Sequence, residues 1–308
     1  MPLLSRSRTV AVRCSALILI SFALFSTPKP RFNKHEKAFY ADEATVSFVR
    51  PGLVITINSA SIAADRTISA VFTVSDPQGL PLDMAGITTP GPISLSFVAA
   101  YIPKGQEQYT AYTTRSASGA AIASTNQASS DSGGTYSTVA AGQYKYAFAT
   151  KAPSGYDTTV THAIGIYGSR DLSEFNLGTN YASTTYNFVP NGSAVITTRD
   201  VIRTASCNKC HDQLSFHGGS RRGLDMCILC HQPQTLDPDS GNTLDTKVMA
   251  HKIHMGSQLP SVQAGHPIRS SAATEPSAIG LRWSIPQIRA DAYPAMSRPR
   301  ERPRRPYS

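Results

Sequence analysis

Four of the chain's five cysteines fall within residues 206–233, the stretch SCNKCHDQLSFHGGSRRGLDMCILCHQP, and no other feature restricts the fold so tightly. They form two Cys-x-x-Cys pairs, Cys207/Cys210 and Cys227/Cys230, with sixteen residues between the pairs. Thiols at this spacing act together, as ligands of one zinc, as redox disulfides or as attachment points for covalent haem. Each of these makes a different demand on the neighbouring residues.

A four-cysteine zinc site fits the spacing and would be closed and structural. A Cys-x-x-Cys disulfide closes a very short loop and is usually a redox device. Neither has a use for the histidine that follows each pair at once, His211 and His231. With eight histidines in 308 residues, two such neighbours arise by chance with odds on the order of one in a thousand. Covalent haem uses all three residues. Two thiols three apart on a helical turn point the same way and reach the two vinyl groups of one porphyrin edge, and the next residue brings its imidazole to the iron.

The sequence therefore reads as binding two covalently bound haem c groups. Cys207, Cys210 and His211 hold one, and Cys227, Cys230 and His231 hold the other, with His211 and His231 as proximal iron ligands. Each iron needs a sixth ligand. The candidates are His217 in FHGG, and His251 and His254 in VMAHKIHMG; Met226, Met249, Met255 and His266 are alternatives. His251 and His254 lie three apart and share a helical face, so they cannot take opposite sides of one iron. They serve two irons, or one of them stays free. A methionine ligand raises the reduction potential and paired histidines keep it low; the abundance of imidazoles favours paired histidines. Gly218 and Gly219 let the backbone pass close to a flat ring. Arg221 and Arg222 either pair with haem propionates or stay solvated. DPDSGNTLD, residues 237–245, alternates Asp as calcium loops do but lacks their twelfth-position acid, and reads as an Asx-rich turn.

The formal charge of +9 is confined to the ends: residues 1–40 carry net +6, residues 268–308 net +5, and the body between them sums to −2. A nearly neutral body has no basic stripe for nucleic acid. Residues 1–27 read as a signal peptide, with Arg6, Arg8 and Arg13 before the short apolar run CSALILISFALF, too short to span a bilayer. Cys14 lies within it and follows an arginine, unlike a lipid-modified cysteine. Export places the other cysteines in a compartment that permits disulfides and in which c-type haem is attached.

Residues 42–198 read as a mainly β domain, a sandwich or split barrel. Short runs rich in β-branched and aromatic residues, VSFV, LVITIN, SAVFTV, ISLSFVAAY, QYTAYTT, QYKYAFAT, AIGIYG, TTYNFV and AVITT, alternate with turn clusters such as DPQGLP and PNGS. No stretch there keeps helical periodicity. Residues 116–138, rich in Ser, Ala and Gly, read as a long mobile loop. His35 and His162 read as surface residues. Asn191-Gly192-Ser193 matches a glycosylation acceptor and reads as a turn. From Arg199 the β-branched runs stop and six of the eight histidines appear, so residues 199–266 read as a small, irregular, partly helical dihaem segment. Residues 267–308, with eight Arg and seven Pro, read as a disordered tail, in the manner of an out-of-frame or truncated end.

TASCNKCHDQLSFHGGSRR, MCILCHQPQT and KVMAHKIHMG, in that order and spacing, resemble the OmcA/MtrC family of outer-surface decahaem c-type cytochromes, across residues 199–265. The resemblance implies a β-barrel-like domain ahead of a multihaem domain and a chain of haems that carries electrons out of the cell to ferric minerals, chelated metals or flavins. It implies His/His ligation, with His211 and His231 proximal and His217, His251 and His254 distal. The sequence departs from the family in having two haem motifs rather than ten, and in losing the resemblance beyond residue 265.

The expected function is that of an exported multihaem cytochrome working at the periplasm, outer-membrane surface or extracellular space. Its partners would be other multihaem cytochromes or an outer-membrane electron conduit, and an external electron acceptor. The alternatives are a haem enzyme with one open iron and a zinc-stabilised binding module.

Overall fold

The computed structural model describes residues 32–265. The signal-peptide reading, Cys14, His266 and the Arg/Pro-rich tail lie outside the described residues. The chain enters through helix α1 (Glu43–Val49), where a strand was expected from VSFV. Asp42 caps this helix by accepting from the Thr45 amide at 2.8 Å, a common way to satisfy a first-turn donor. Val46 and Val49, three apart, are buried while Phe48 faces outward. That spacing belongs to one helical face, and four residues are too few to show it in sequence.

Two four-stranded antiparallel sheets follow. The first contains β1 (Val54–Ile62), β2 (Thr67–Ser75), β7 (Thr135–Ala140) and β8 (Gln143–Lys151), in the order β1-β2-β8-β7. The second contains β3 (Ile93–Tyr101), β4 (Thr110–Ala111), β9 (His162–Leu172) and β10 (Gly178–Phe188), in the order β10-β9-β3-β4. No strand is shared between them, so the domain is an open sandwich and not a barrel. The core between the sheets holds Ile55, Phe72, Val74, Phe97, Ile164 and Ile166.

Period-two alternation explains why the second sheet reads as continuously apolar. Phe97, Ala99, Ile164 and Ile166 face the first sheet. Val98, Ala100, Ala163 and Tyr167 face the other way, into a second core shared with Leu214, Leu224, Met226, Ile228 and Leu229. The Cys/His segment is thus packed on the outer face of this sheet. Gly165 in β9 makes room for it: a Cβ there would collide with Met226 and with Leu229.

Several local expectations are corrected. Residues 194–198, AVITT, form no strand; Ile196 is 91% exposed and the backbone has no sheet partner. QYTAYTT divides between β4 and the start of β5 (Thr114–Ala117). The Ser/Ala/Gly-rich stretch is not a bare loop: β5 pairs with β6 (Thr125–Ala128), and β7 joins the first sheet. The β5–β6 tip docks on the residue 237–245 turn, with the Ala121 and Ile122 amides donating to the Pro238 carbonyl at 3.0 and 2.8 Å. His162 is not on the surface. It opens β9 with 1% exposure, where the strand enters the interior. Asn191 does form a turn, accepting from the Ser193 amide at 2.9 Å.

Tyr109 closes the junction between the sheet and the Cys/His segment. Its hydroxyl donates to Asn187 Oδ1 at 2.8 Å, and its carbonyl accepts from Gln234 at 2.9 Å. Burial pushes its pKa up to about 12, with the Asn187 contact opposing the shift. The folded state therefore holds the proton more tightly than the unfolded chain. The associated stability is fully present below pH ~10, and is lost as pH rises through about 12. Urea titrations across this range are expected to show a loss of roughly 2 kcal/mol in the wild type, reduced in Tyr109→Phe.

Candidate functional site

Both Cys/His motifs adopt the same local fold. Helix α2 (Thr204–Cys207) ends on the first thiol of one motif, and α3 (Leu224–Cys227) on the first thiol of the other. In the first, the Cys207 carbonyl accepts from the amides of Cys210 and His211 at 3.1 and 3.0 Å. In the second, the Cys227 carbonyl accepts from Cys230 and His231 at 3.1 and 2.8 Å. The repeated turn places each histidine one helical turn beyond its first cysteine, and so on the same side.

The second motif is the better buried. Ile228 and Leu229, the residues between its cysteines, sit in the shared core. Cys227 and Cys230 are half-buried, and burial pushes both thiols up to about 11. Cys210 is exposed.

His231 is oriented by its backbone surroundings. Its Nδ1 lies 3.1 Å from the Leu244 carbonyl. A carbonyl only accepts, so Nδ1 carries the proton and Nε2 is left with a free lone pair. Its own carbonyl accepts from the Thr246 hydroxyl at 2.9 Å. Thr246 opens helix α4 (Thr246–Met255), which Asp245 caps through the amides of Lys247 and Val248. Asp245 is in turn held by a buried ion pair with Arg199 at 3.4 Å. The helix thus starts against the second motif. Its far end brings His254 to His211 of the first, ring centroids 6.3 Å apart at 87°. His254 Nδ1 faces the Ala250 carbonyl at 2.7 Å, again leaving Nε2.

His217 reaches the second motif by a different device. It sits in the turn between β11 (Ser215–Phe216) and β12 (Arg221–Arg222). His217, Gly218 and Gly219 have φ of 53°, 72° and 88° in succession, a run that glycine makes accessible. The glycines close the hairpin, a different task from the one expected of them. The turn brings the His217 ring to that of His231, centroids 5.9 Å apart and 23° from parallel.

The structure brings two of the distal candidates to motif histidines. His217 meets His231, and His254 meets His211. Among the described residues His251 makes no ring contact with either motif histidine, although it shares the helix with His254. Met226 is buried at 3% exposure in the shared core. Arg221 and Arg222 are half-buried on aromatic rings: Arg221 stacks 4.4 Å over Tyr167 and donates to its hydroxyl at 2.8 Å, and Arg222 lies over Tyr181. The Asx-turn reading of residues 237–245 holds, with Asp237 accepting from the Asp239 amide and the Ser240 hydroxyl. Sequence reasoning missed Thr246, Asp245 and Arg199. The Asp-Thr pair ahead of KVMAHKIHM is an N-cap signal that would have found two of them.

The donor set fits haem better than zinc. Haem would be held by each pair of thiols and the histidine that follows it, with His254 and His217 near enough to offer a second imidazole. A tetrahedral zinc site instead needs four thiolates around one point. Among the described residues no three Cys, His, Asp or Glu side chains converge in that way.

Residues 199–279 match the family model of outer membrane cytochrome MtrC/MtrF-like proteins, domains II/IV. The Cys/His segment is therefore similar to domains II/IV of those outer membrane cytochromes. No curated protein matches the chain. Among solved structures, the outer membrane decaheme cytochrome OmcA is similar at 21% identity with a TM-score of 0.54, over 67% of this chain and 33% of that one. MtrC from Shewanella baltica is similar at 21% identity with a TM-score of 0.48, over 74% of this chain and 36% of that one. The chain therefore spans about a third of the length of those cytochromes. The likeness to OmcA is one of fold, over two thirds of this chain.

Proposed function

We propose that the chain is an exported c-type cytochrome segment that transfers electrons. It would hold one haem c on Cys207, Cys210 and His211 and another on Cys227, Cys230 and His231, with His254 and His217 as the respective distal ligands. The carrying observation is the pairing of each motif histidine with a second histidine at about 6 Å. Haem in these positions would supply reversible one-electron chemistry. The chain's residues do the rest: thiols attach, imidazoles saturate the iron, Leu244 and Ala250 carbonyls fix the tautomers, and the β-sandwich presents the segment on a rigid face. No general acid or nucleophile is called for.

Residues 42–198 serve as scaffold or docking surface and residues 199–266 as the electron-carrying unit. Two haems make a short wire, so its neighbours would be other multihaem cytochromes or an outer-membrane conduit, and its terminal acceptor an external one. The place of work would be beyond the inner membrane, toward the cell surface, in keeping with the outer membrane cytochromes to which the chain is similar.

Carbon monoxide tests the reading. Because both irons would be six-coordinate, the gas is expected to leave the spectrum of the reduced protein unchanged. A large change would favour a haem enzyme with an open iron. Arg221 offers a finer check. Its charge bears on His217, His231, Cys227 and Cys230 alike. A fixed cation favours the reduced state nearby, so Arg221→Gln is expected to lower one of two midpoint potentials. The expected shift is roughly 0.5–1 kcal/mol, or about 20–40 mV for one electron, read by spectroelectrochemical titration.

A further inference from the structure

The mixed aromatic cluster around His162 has no part in the site above. His162 Nδ1 lies 3.0 Å from the Val160 carbonyl and Nε2 lies 2.8 Å from the Tyr112 hydroxyl. The carbonyl can only accept, so Nδ1 carries the ring proton. Nε2 is therefore an unprotonated base, and the Tyr112 hydroxyl donates to it. Tyr101 stacks on Tyr112 with centroids 4.7 Å apart at 19°. Tyr101, Tyr156 and Phe188 surround the imidazole with centroids at 6.0, 5.9 and 5.7 Å. Burial lowers the His162 pKa, and the Val160 carbonyl and the Asp157 carboxylate oppose that shift in part.

Each of these contacts suits a tyrosine that loses an electron. A phenol gives up an electron readily only if its proton has somewhere to go, because the phenol cation is a very strong acid. Here an imidazole is hydrogen-bonded and ready to take it. The surrounding aromatic rings and the Asp157 carboxylate would offset part of the burial cost of the imidazolium so formed. The stacked Tyr101 ring offers a second π-system to spread the unpaired electron.

The other tyrosines with known hydroxyl partners are less well placed. Tyr109 donates to the amide oxygen of Asn187, which is not a base. Tyr167 accepts from the Arg221 cation. Tyr146 donates to Asp131, but both Asp131 oxygens already accept backbone amides from Ala149 and Thr150. An ordinary carboxylate is also a weaker base than imidazole by about 2.6 pK units.

We propose that Tyr112 and His162 form a redox-active pair that reduces small one-electron oxidants of the radical class. In the step, the Tyr112 O–H bond breaks and an N–H bond forms at His162 Nε2. The electron leaves to the oxidant, which becomes its one-electron-reduced form. What remains is a neutral tyrosyl radical hydrogen-bonded to an imidazolium. A one-electron donor such as ascorbate reverses the step, and the proton returns to the phenol oxygen. The pair is bonded into the neighbourhood of the second motif, since the Ala111 amide, next to Tyr112, donates to Gln232, next to His231, at 3.0 Å. The proposal stands on the geometry around His162 and does not require that haem be bound.

The test is flash-quench oxidation of the full-length protein by a photogenerated ruthenium(III) polypyridyl complex, read by high-field electron paramagnetic resonance. The wild type is expected to give a dominant tyrosyl radical whose g-tensor reports a hydrogen bond to the phenoxyl oxygen. Tyr112→Phe is expected to lose that component, and Tyr101→Phe to keep it. An unchanged spectrum in Tyr112→Phe would overturn the proposal. If circular dichroism shows that variant unfolded, the wild type decides. In histidine labelled with nitrogen-15 the radical is expected to couple to an exchangeable proton and to an imidazole nitrogen, and absence of both couplings would overturn the proposal.

Discussion

Carbon monoxide is expected to bind the reduced His217→Ala protein at one iron per chain, where the unsubstituted protein takes up none. His217 reaches the second motif only through the left-handed turn at His217, Gly218 and Gly219, and no other described histidine comes as close to His231. Alanine keeps the backbone and removes the imidazole, so a sixth position opens. His254→Ala is expected to open the other iron, because His254 is the ring at His211. His251→Ala is the control. It lies three residues before His254 on the same helix, and its loss is expected to open neither iron. Optical titration with carbon monoxide checks all three. Uptake by His251→Ala and none by His254→Ala would exchange the roles of the two histidines.

The second large effect lies in the sandwich. Arg170→Met is expected to destabilise the β domain by about 4 kcal/mol. Arg170 is fully buried, and its guanidinium donates to four carbonyls: Val49, Arg50, Gly52 and Pro90, at 2.6–3.0 Å. These carbonyls belong to the end of α1 and to two loops, so one side chain ties three segments to β9. Burial, with repulsion from Arg50, lowers its pKa to about 10, so it remains charged at neutral pH. Methionine fills similar space but leaves the carbonyls without donors, each at a cost of roughly 1 kcal/mol or more. Arg170→Lys keeps the charge but not the planar fork, and should fall between. Urea denaturation followed by tryptophan-independent circular dichroism measures both. A change below ~1 kcal/mol in Arg170→Met would mean that the carbonyls find water instead.

Much of this architecture is legible in the sequence, and the exceptions share a physical cause. ISLSFVAAY and QYKYAFAT become β3 and β8 with nearly the expected bounds, because β-branched and aromatic residues fit a pleated surface wherever it lies. VSFV failed because a helix of seven residues owes its existence to the Asp42 cap and to burial of two valines, which a four-residue window does not reveal. AVITT failed because strand propensity cannot supply a partner strand. His162 was misplaced because nothing local distinguishes a histidine at the start of a buried strand from one on a loop.

The motifs were the most legible part. Cys-x-x-Cys-His is a local pattern, and its turn is built by local hydrogen bonds from Cys207 and Cys227. The choice among His217, His251 and His254 was not legible, since it depends on a hairpin turn and on where α4 is anchored. That anchor is Thr246 on the His231 carbonyl, a contact across fifteen residues. Nor did the sequence show that the segment is seated on β9, where Gly165 admits Met226 and Leu229.

The most direct measurement is haem content. The full-length protein would be produced in a bacterial periplasm with the c-haem maturation machinery, run on a denaturing gel with haem stain, and assayed by pyridine haemochrome spectrum. The account predicts a stained band that survives denaturation and two haems per chain, on Cys207/Cys210 and Cys227/Cys230. A colourless protein that releases one zinc when its thiols are blocked would contradict it, and would leave a zinc-bound module on the β-sandwich.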